Sequence, residues 1–539
     1  MEYNNSKKTI YTPLIIAIVL VAGIFIGRNL FPPNNGNIDF SSVIKSSYNN
    51  KISAVLQLIE NNYVENISVD TLTEKAIPLI LKNLDPHTSY LPPKENDEAH
   101  ESLDGSFDGI GVQFNINNDT VLIVSTISGG PSQKAGILAG DRIVTVNDSL
   151  IAGVGITNAG VMKALKGQAG TTVKIGIKRK NIKDLIYFDI VRDKIPLYSV
   201  DVSYMLNKNT GYIKISRFAG TTYKEFIEAA EKLKNLGMKK LVLDLRDNGG
   251  GYLGEAVNIA DEFLPEGKMI VYTKGAHRKQ TEYKATNKNK LVDIELAVLI
   301  NSWTASASEI LSGAVQDNDR GVIIGRRSFG KGLVQEEFDF KDRSGVRITV
   351  ARYYTPAGRS IQKPYKNGYA DYYSDIYKRA VDGELLSADS TKFPDSLKYT
   401  TLGGKTVYGG GGIMPDYFVP VDTTVLTDYY QKLTSKGLIY KFALDYTDDN
   451  RKKLQSFKTA RQINDYLESK DILNEFIKYA EDNGVRKNSY DLKYSKNFIN
   501  TRLKAYIARN ILDNEGFFPI IREIDDDLKK AEQILNNSK

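Results

Sequence analysis

From Gly211 onward, short apolar runs and longer amphipathic stretches take turns along the chain. GYIKIS is followed by TYKEFIEAAEKLKNLG, KLVLDLR by YLGEAVNIADEFL, and then come MIVYT, ELAVLI, a third amphipathic stretch, GVIIG and VRITVARY. The apolar runs have strand length, the amphipathic stretches repeat at helical spacing, and Gly237 closes the first of them. Strands alternating with helices are joined by right-handed crossovers, so residues 193–425 are expected to form an α/β layer.

At 539 residues the chain exceeds one ordinary core, and about 100 to 200 residues per domain gives three or four units. Lys7 and Lys8 precede TPLIIAIVLVAGIFIG, an apolar stretch that can be read through to Phe31, about 17 to 20 residues and near the lower limit for crossing a bilayer. A cleaved signal peptide is the rival reading, but no A-x-A cleavage site follows, so residues 1–31 are expected to be a single-pass inner-membrane anchor, with the rest periplasmic or extracytoplasmic. After the polar linker PPNNGNID, the segment 32–103 is expected to be helical. Ile52, Val55, Leu56 and Ile59 recur at helical spacing, as do Ala76, Ile77, Ile80, Leu81 and Leu84, interrupted by LDPHTSYLPP. Residues 104–192 change to short β-rich runs separated by Gly, Asn and Asp, with GVMKALKG as a short helix. Residues 367–408 show little apolar periodicity and are expected to be an insertion or lid, and 426–539 are expected to be helical.

Composition narrows the chemistry. Hydrophobic residues make up 41% and charged residues 25%, a globular balance. The net charge of +7 is spread over many lysines and many acids, so no nucleic-acid partner is expected. Cysteine is absent, which removes disulfides, thiolate metal sites and cysteine nucleophiles together. No zinc-type cluster is present, and no metal or organic cofactor is expected.

Two stretches carry the chemistry. NSWTASASEILSGAVQD, residues 301–317, crowds Thr304, Ser306 and Ser308 ahead of a helix whose buried stripe is 307, 310, 311, 314 and 315. Such hydroxyls commonly cap helices, so this stretch alone leaves capping and nucleophilic roles both open. RGVIIGRRSFGKGLVQEEF, residues 320–338, sets Lys331 between two glycines after an apolar strand, where it is either an exposed loop charge or a base. A serine hydroxyl needs a base, and a lysine serves if burial keeps it neutral. A helix N-terminus also places amide donors where an oxyanion would form. None of the three histidines lies in a strand-end or helix-start motif, which disfavours a histidine-based triad.

In the β-rich unit, GIGV (Gly109, Ile110, Gly111, Val112) opens a strand and GPSQKAGILAGDRIVTVND follows at 130–148. A glycine-rich loop leading into a strand points several amides at one place, which suits a carboxylate, although GIGV alone reads more simply as a tight turn with no ligand. The pair resembles a PDZ domain, which binds a peptide C-terminus by adding it to a sheet edge.

Taken together, TASASEILSGAVQDNDRGVIIGRRSFGKGLVQ, LVLDLRDNGGGYLGEAVNIADEFL, GYIKISRF, LDPHTSYLPP, YYTPAGRSIQ and GGIMPDYFVPVD, with the PDZ signature, resemble the carboxyl-terminal processing peptidases, or tail-specific proteases, over residues 45–425. The resemblance implies a crotonase-like α/β protease core with an inserted PDZ domain. It implies Ser306 as nucleophile, Lys331 as base, Gln335 as the residue that orients the lysine, and an oxyanion hole from the amides of Gly251 and Ala307. Asp317 is the weakest assignment, because an Asp-Asn-Asp run ending a helix needs no catalytic role.

The pattern departs from the family in two places. Thr304 stands where the family's S-A-S-A-S pattern begins with serine, and LKG with Lys166 stands where many members have Arg-Gly, which leaves open any gating contact made by that arginine. The implied function is a serine endopeptidase that captures the C-terminal tails of envelope proteins and cleaves them through an acyl-enzyme. A catalytically silent PDZ tether and a structural envelope protein are the rivals. A second copy of the chain or an adaptor is left open as a partner.

Overall fold

The computed structural model describes residues 51–537 apart from 118 and 392. The chain forms two compact units that divide between Ile80 and Leu81. In the first, α1 (Lys51–Asn62) and α2 (Val69–Leu81) follow the helical spacing seen in the sequence, and neither buries a residue. Among the described residues no helix is long and apolar enough to cross a membrane. Even the longest, Ser489–Ile521, carries Lys, Arg, Asp and Glu along its length. The inner-membrane anchor, the membrane as partner and the periplasmic or extracytoplasmic placement are therefore withdrawn, and residues 1–31 themselves lie outside the described residues.

The second unit opens with β1 (Ser89–Leu91), α3 (Pro93–Asp104) and β2 (Ser106–Gly109). β1 falls within LDPHTSYLPP, where the helical spacing breaks, and pairs antiparallel with residues 345–347. The β-rich region comprises β3 (Val112–Ile116), β4 (Val121–Thr126), α4 (Pro131–Ala135), β5 (Arg142–Val146), β6 (Ser149–Leu150), α5 (Asn158–Leu165), β7 (Thr172–Lys178) and β8 (Ile186–Val191). Its antiparallel sheet has the order β3-β4-β5-β7-β8, with β6 on β5. β9 (Asp193–Pro196) pairs with β2, so the chain enters and leaves this region through one two-stranded ribbon.

The protease region continues with β10 (Val200–Met205), β11 (Thr210–Ile215), α6 (Thr222–Asn235), β12 (Lys240–Asp244), α7 (Leu253–Phe263), β13 (Met269–Lys274) and β14 (Thr281–Lys284). Then come β15 (Glu295–Ile300), α8 (Ala307–Asp317), β16 (Val322–Gly325), β17 (Leu333–Asp339), β18 (Gly345–Tyr354), α9 (Tyr369–Val381), β19 (Lys398–Thr400), β20 (Thr406–Tyr408) and β21 (Tyr417–Phe418). The strands form two main sheets, not one. The central sheet runs β10-β11-β12-β15-β16-β21, parallel from β11 onward. The MIVYT and VRITVARY strands leave it for an antiparallel sheet, β1-β18-β13-β14 with β17 on β18.

The two-residue period of a strand divides the central sheet's side chains between two cores. Leu241, Leu243, Leu296 and Val298 pack against α6, α7 and α8, while Val242, Ala297 and Leu299 face the opposite side. The C-terminal region consists of α10 (Asp428–Ser435), α11 (Leu438–Leu454), α12 (Ala460–Glu468), α13 (Ile472–Asp482), α14 (Ser489–Ile521) and α15 (Asp526–Asn537). It has its own core, yet α15 returns to cover the sheet's opposite side with Leu528, Ala531 and Leu535. It also meets the β-rich region, where Lys180 Nζ lies 3.0 Å from Asp449 Oδ1 and Arg451 donates to the Ala139 carbonyl at 2.7 Å.

Candidate active site

Helix α8 begins beyond the end of β15, and the residue before it, Ser306, has φ +58° and ψ −119°. A non-glycine side chain rarely adopts this conformation, which costs about 1–3 kcal/mol and persists only where the surroundings impose it. They do so here from both sides. Glu309 Oε2 accepts from the Ser306 N–H at 2.9 Å, and the Tyr353 hydroxyl reaches the Ser306 carbonyl at 3.2 Å. The neighbouring hydroxyls have different tasks. Thr304 donates to the Leu245 carbonyl at 2.9 Å and Ser308 to the Asn248 carbonyl at 3.0 Å, which binds the loop after β12 to the start of α8.

That loop is DNGGGY. Asn248, fully buried, donates to the Ile215 carbonyl, accepts from the Gly250 N–H and, through its own carbonyl, accepts from the Ala305 N–H. Gly250 lies against the serine, since a Cβ there would come within 2.7 Å of Ser306 Cβ and 3.0 Å of Ala307 N. Gly251 has φ +145°, and a Cβ there would meet the Phe218 carbonyl oxygen at 2.1 Å, so only glycine fits. The Gly250 amide is engaged by Asn248, whereas neither the Gly251 nor the Ala307 N–H has an acceptor among the described residues.

Lys331 follows β16 in the FGKG loop, and the same two groups hold it. Its N–H donates to Glu309 Oε2 at 2.9 Å, and the Tyr353 hydroxyl donates to its carbonyl at 2.7 Å. Glu309 Oε1 accepts from Ser328 Oγ at 2.5 Å and from the Gly330 N–H at 2.8 Å. Burial, with help from Arg347, lowers the Lys331 ammonium to about 8, against the opposing pull of Glu309 and Asp85.

Ser306, Ala307, Gly251, Lys331 and Gln335 line one cleft of about 790 Å³, together with Tyr353, Arg347 and residues of α3. Gln335 donates its Nε2 to Thr349 Oγ1 at 3.2 Å. Asp317 is not brought to this cleft. It sits fully buried at the far end of α8, about 16 Å along the helix axis from Ser306, paired with Arg359 at 2.7 Å. It shapes the GRSIQ turn by accepting from the Ala357 N–H as well. His87, which the sequence placed in the helical segment, belongs to the second unit and lies near Lys331. Burial and the Lys331 charge press its imidazole down to about 3, and its Nε2 is 2.8 Å from the Tyr372 hydroxyl. Among the described residues no group of three or more His, Asp or Glu is placed to hold a metal.

In the β-rich region, Gly109 ends β2, Ile110 is buried with its carbonyl accepting from Ser132 Oγ at 2.6 Å, and Gly111 has φ +73° before Val112 opens β3. Lys166, at the end of α5, pairs with Glu101 of α3 and lies over the Phe107 ring. Glu309, Tyr353, Asn248 and Arg347 were all missed from the sequence. Of these only Glu309, three residues after the serine in a capping-box position, had a local signal.

Comparison with known proteins follows the same division of the chain. Residues 209–368 match Peptidase family S41, 109–187 match the PDZ domain, and 429–513 match a family of unknown function. The chain is 32% identical to carboxy-terminal processing protease CtpA of Bacillus subtilis, over 65% of this chain and 75% of that protein. It is 34% identical to the carboxy-terminal-processing protease of Bartonella bacilliformis, over 64% and 80%. Among solved structures it resembles the photosystem II D1 C-terminal processing protease at 30% identity, covering 57% of this chain and 88% of that one with a TM-score of 0.33. With a glycine-rich loop and a strained serine facing one cleft, and a PDZ domain alongside, this chain belongs to the carboxyl-terminal processing serine proteases of family S41.

Proposed function

We propose that the chain is an endopeptidase that captures protein C-terminal tails in the groove behind Gly109–Val112 and cleaves them with Ser306 and Lys331. The observation that carries this reading is the double clamp: Glu309 and Tyr353 fix the backbones of both residues in a cleft where the Gly251 and Ala307 amides face no internal acceptor. Neutral Lys331 takes the proton of Ser306 as Oγ attacks the substrate carbonyl, and the two free amides receive the oxyanion. The resulting ammonium returns a proton to the leaving amine, which departs and leaves an ester on Ser306. Lys331, neutral again, then takes a proton from the water that hydrolyses the ester.

Support for a crotonase-like core comes from the order β11-β12-β15, in which each strand returns through a helix on the same face of the sheet. With the membrane placement withdrawn, the substrates are defined by chemistry, as proteins with an accessible C-terminal tail, and not by compartment. The test is cleavage of a tailed substrate by the full chain against Ser306→Ala and Lys331→Ala. Both variants should lose at least about a hundredfold in kcat while still binding the tail. Wild-type cleavage by either variant refutes the pair, and tail binding without cleavage by the wild type supports a tether.

A further inference from the structure

LDPHTSYLPP lies far from the catalytic stretches in sequence, well before residues 209–368 that match Peptidase family S41. The structure brings it to the site. β1 pairs antiparallel with β18 through Ser89 and Arg347, so the turn before β1 lies beside Thr349. Thr349 is also the cross-strand partner of Gln335, just past a register shift in β17 that re-aims this side chain. We infer that Asp85 is a positioning residue for the protease reaction, acting through Thr349 on the side-chain amide of Gln335 and through that amide on Lys331. The inference rests on the Ser306–Lys331 reading above.

The direction of the chain follows from donor and acceptor chemistry. An ionised carboxylate only accepts, so the 3.1 Å contact between Thr349 Oγ1 and Asp85 Oδ1 uses the threonine's one hydroxyl proton. Thr349 can then only accept from Gln335, which turns Nε2 toward it, as the 3.2 Å contact shows. The Gln335 amide oxygen is left for another donor, and Lys331 is the ammonium lining the same cleft. Without the carboxylate, the threonine could donate to the amide oxygen and the glutamine could flip. Asp85 also closes its own turn, accepting from the His87 and Thr88 N–H groups at 2.9 and 3.0 Å and from Thr88 Oγ1 at 2.5 Å. A purely structural role is therefore the competing explanation.

The charges facing Lys331 are Arg347 from β18, Glu309 from α8 and Asp85 from this turn, and His87 beside it also faces Lys363. Asp85 acts on the lysine to keep its proton. The test is the pH dependence of tailed-peptide cleavage by the full chain, with folding followed by thermal melting. Asp85→Asn should move the midpoint of the rising limb to lower pH. Thr349→Val and Gln335→Ala should each lower kcat roughly ten- to a hundredfold with KM held. The double variant Thr349→Val/Gln335→Ala should be no worse than Gln335→Ala alone. Additive losses in that pair, or an unmoved midpoint in folded Asp85→Asn, would overturn the relay while leaving the Ser306–Lys331 reading intact. Should Asp85→Asn not fold, the threonine–glutamine pair decides alone. Full activity in Ser306→Ala would sink both.

Discussion

At the scale of single residues, the proposed chemistry turns on a lysine whose proton is weakly bound. Desolvation and, after it, Arg347 bring Lys331 from 10.5 down to about 8 against the opposing Glu309 and Asp85. In its proposed role as base Lys331 must be neutral, so kcat/KM should rise with pH and level off above about 8, as read from a pH–rate profile. Arg347→Gln removes a cation that disfavours the ammonium, so the limb should move to higher pH; an unmoved limb would count against the lysine as base. A second expectation concerns Glu309, whose two oxygens accept from four donors. Glu309→Gln replaces one oxygen with a donor group and strands two of those four. Calorimetry should show a loss of about 2 to 4 kcal/mol in stability, and the surviving fold should lose activity because Ser306 and Lys331 separate. The candidates Ser306 and Lys331 could be picked out because each sits in a short motif with its own chemistry. Tyr353 and Asp85 could not, because their partners are far away in sequence and nothing local marks them.

Among the elements, α9 was the hardest to read from its sequence. Residues 367–408 looked like an insertion or lid, because the buried face of α9 is made of Tyr372, Ile376 and Arg379 and not of aliphatic residues. In the fold it packs against the loop after β16. Tyr372 and Ile376 pack on Phe329, and Arg379 donates to the Ser328 and Phe329 carbonyls, next to the loop that carries Lys331. No described residue of 367–408 lines the cleft. The strand–helix alternation was easy to read, but strand partners were not. MIVYT and VRITVARY have ordinary strand patterns, and only tertiary pairing places them in the second sheet. Lys166 has a partner of its own at this scale. Helix α5 of the PDZ domain ends on a pair with Glu101, next to Ser102 and Leu103, which line the cleft. Lys166→Glu sets two carboxylates against each other, so it should alter kcat on a tailed protein while leaving the affinity for a free tail peptide within about twofold. Equal changes in both measurements would show that the contact only stabilises the PDZ domain.

For the whole molecule, the C-terminal helix is a structural part of the protease and not an appendage. Leu528, Ala531 and Leu535 cover the side of the central sheet formed by Val242, Ala297 and Leu299. The same helix and the residue before it bring Asp525 and Asp527 to Arg246, and Asp527 also to Arg326, at distances from 2.7 to 3.0 Å. Arg246 lies two residues before Asn248, so the ion pairs at the base of α15 hold the strand end from which the DNGGGY loop emerges. Ending the chain at Ile524 uncovers an apolar sheet face and strips both arginines of these partners. Each buried leucine lost removes about 1.5–3 kcal/mol, and breaking a buried ion pair costs about 3–5 kcal/mol. Together these approach the roughly 5–15 kcal/mol that holds an average domain folded. The truncated chain is therefore expected to aggregate on expression, whether or not the 429–513 region folds. Leu535→Ala tests the same contact more gently. It should lower the melting temperature through a loss of about 2–5 kcal/mol but cleave at the wild-type rate well below its transition, because it leaves the Arg246 pairs intact. Asp527→Asn weakens those pairs directly, so it should lower kcat at temperatures where the fold is still complete. A cleavage rate for Asp527→Asn that follows its melting curve alone would mean that the helix stabilises the sheet without holding the loop.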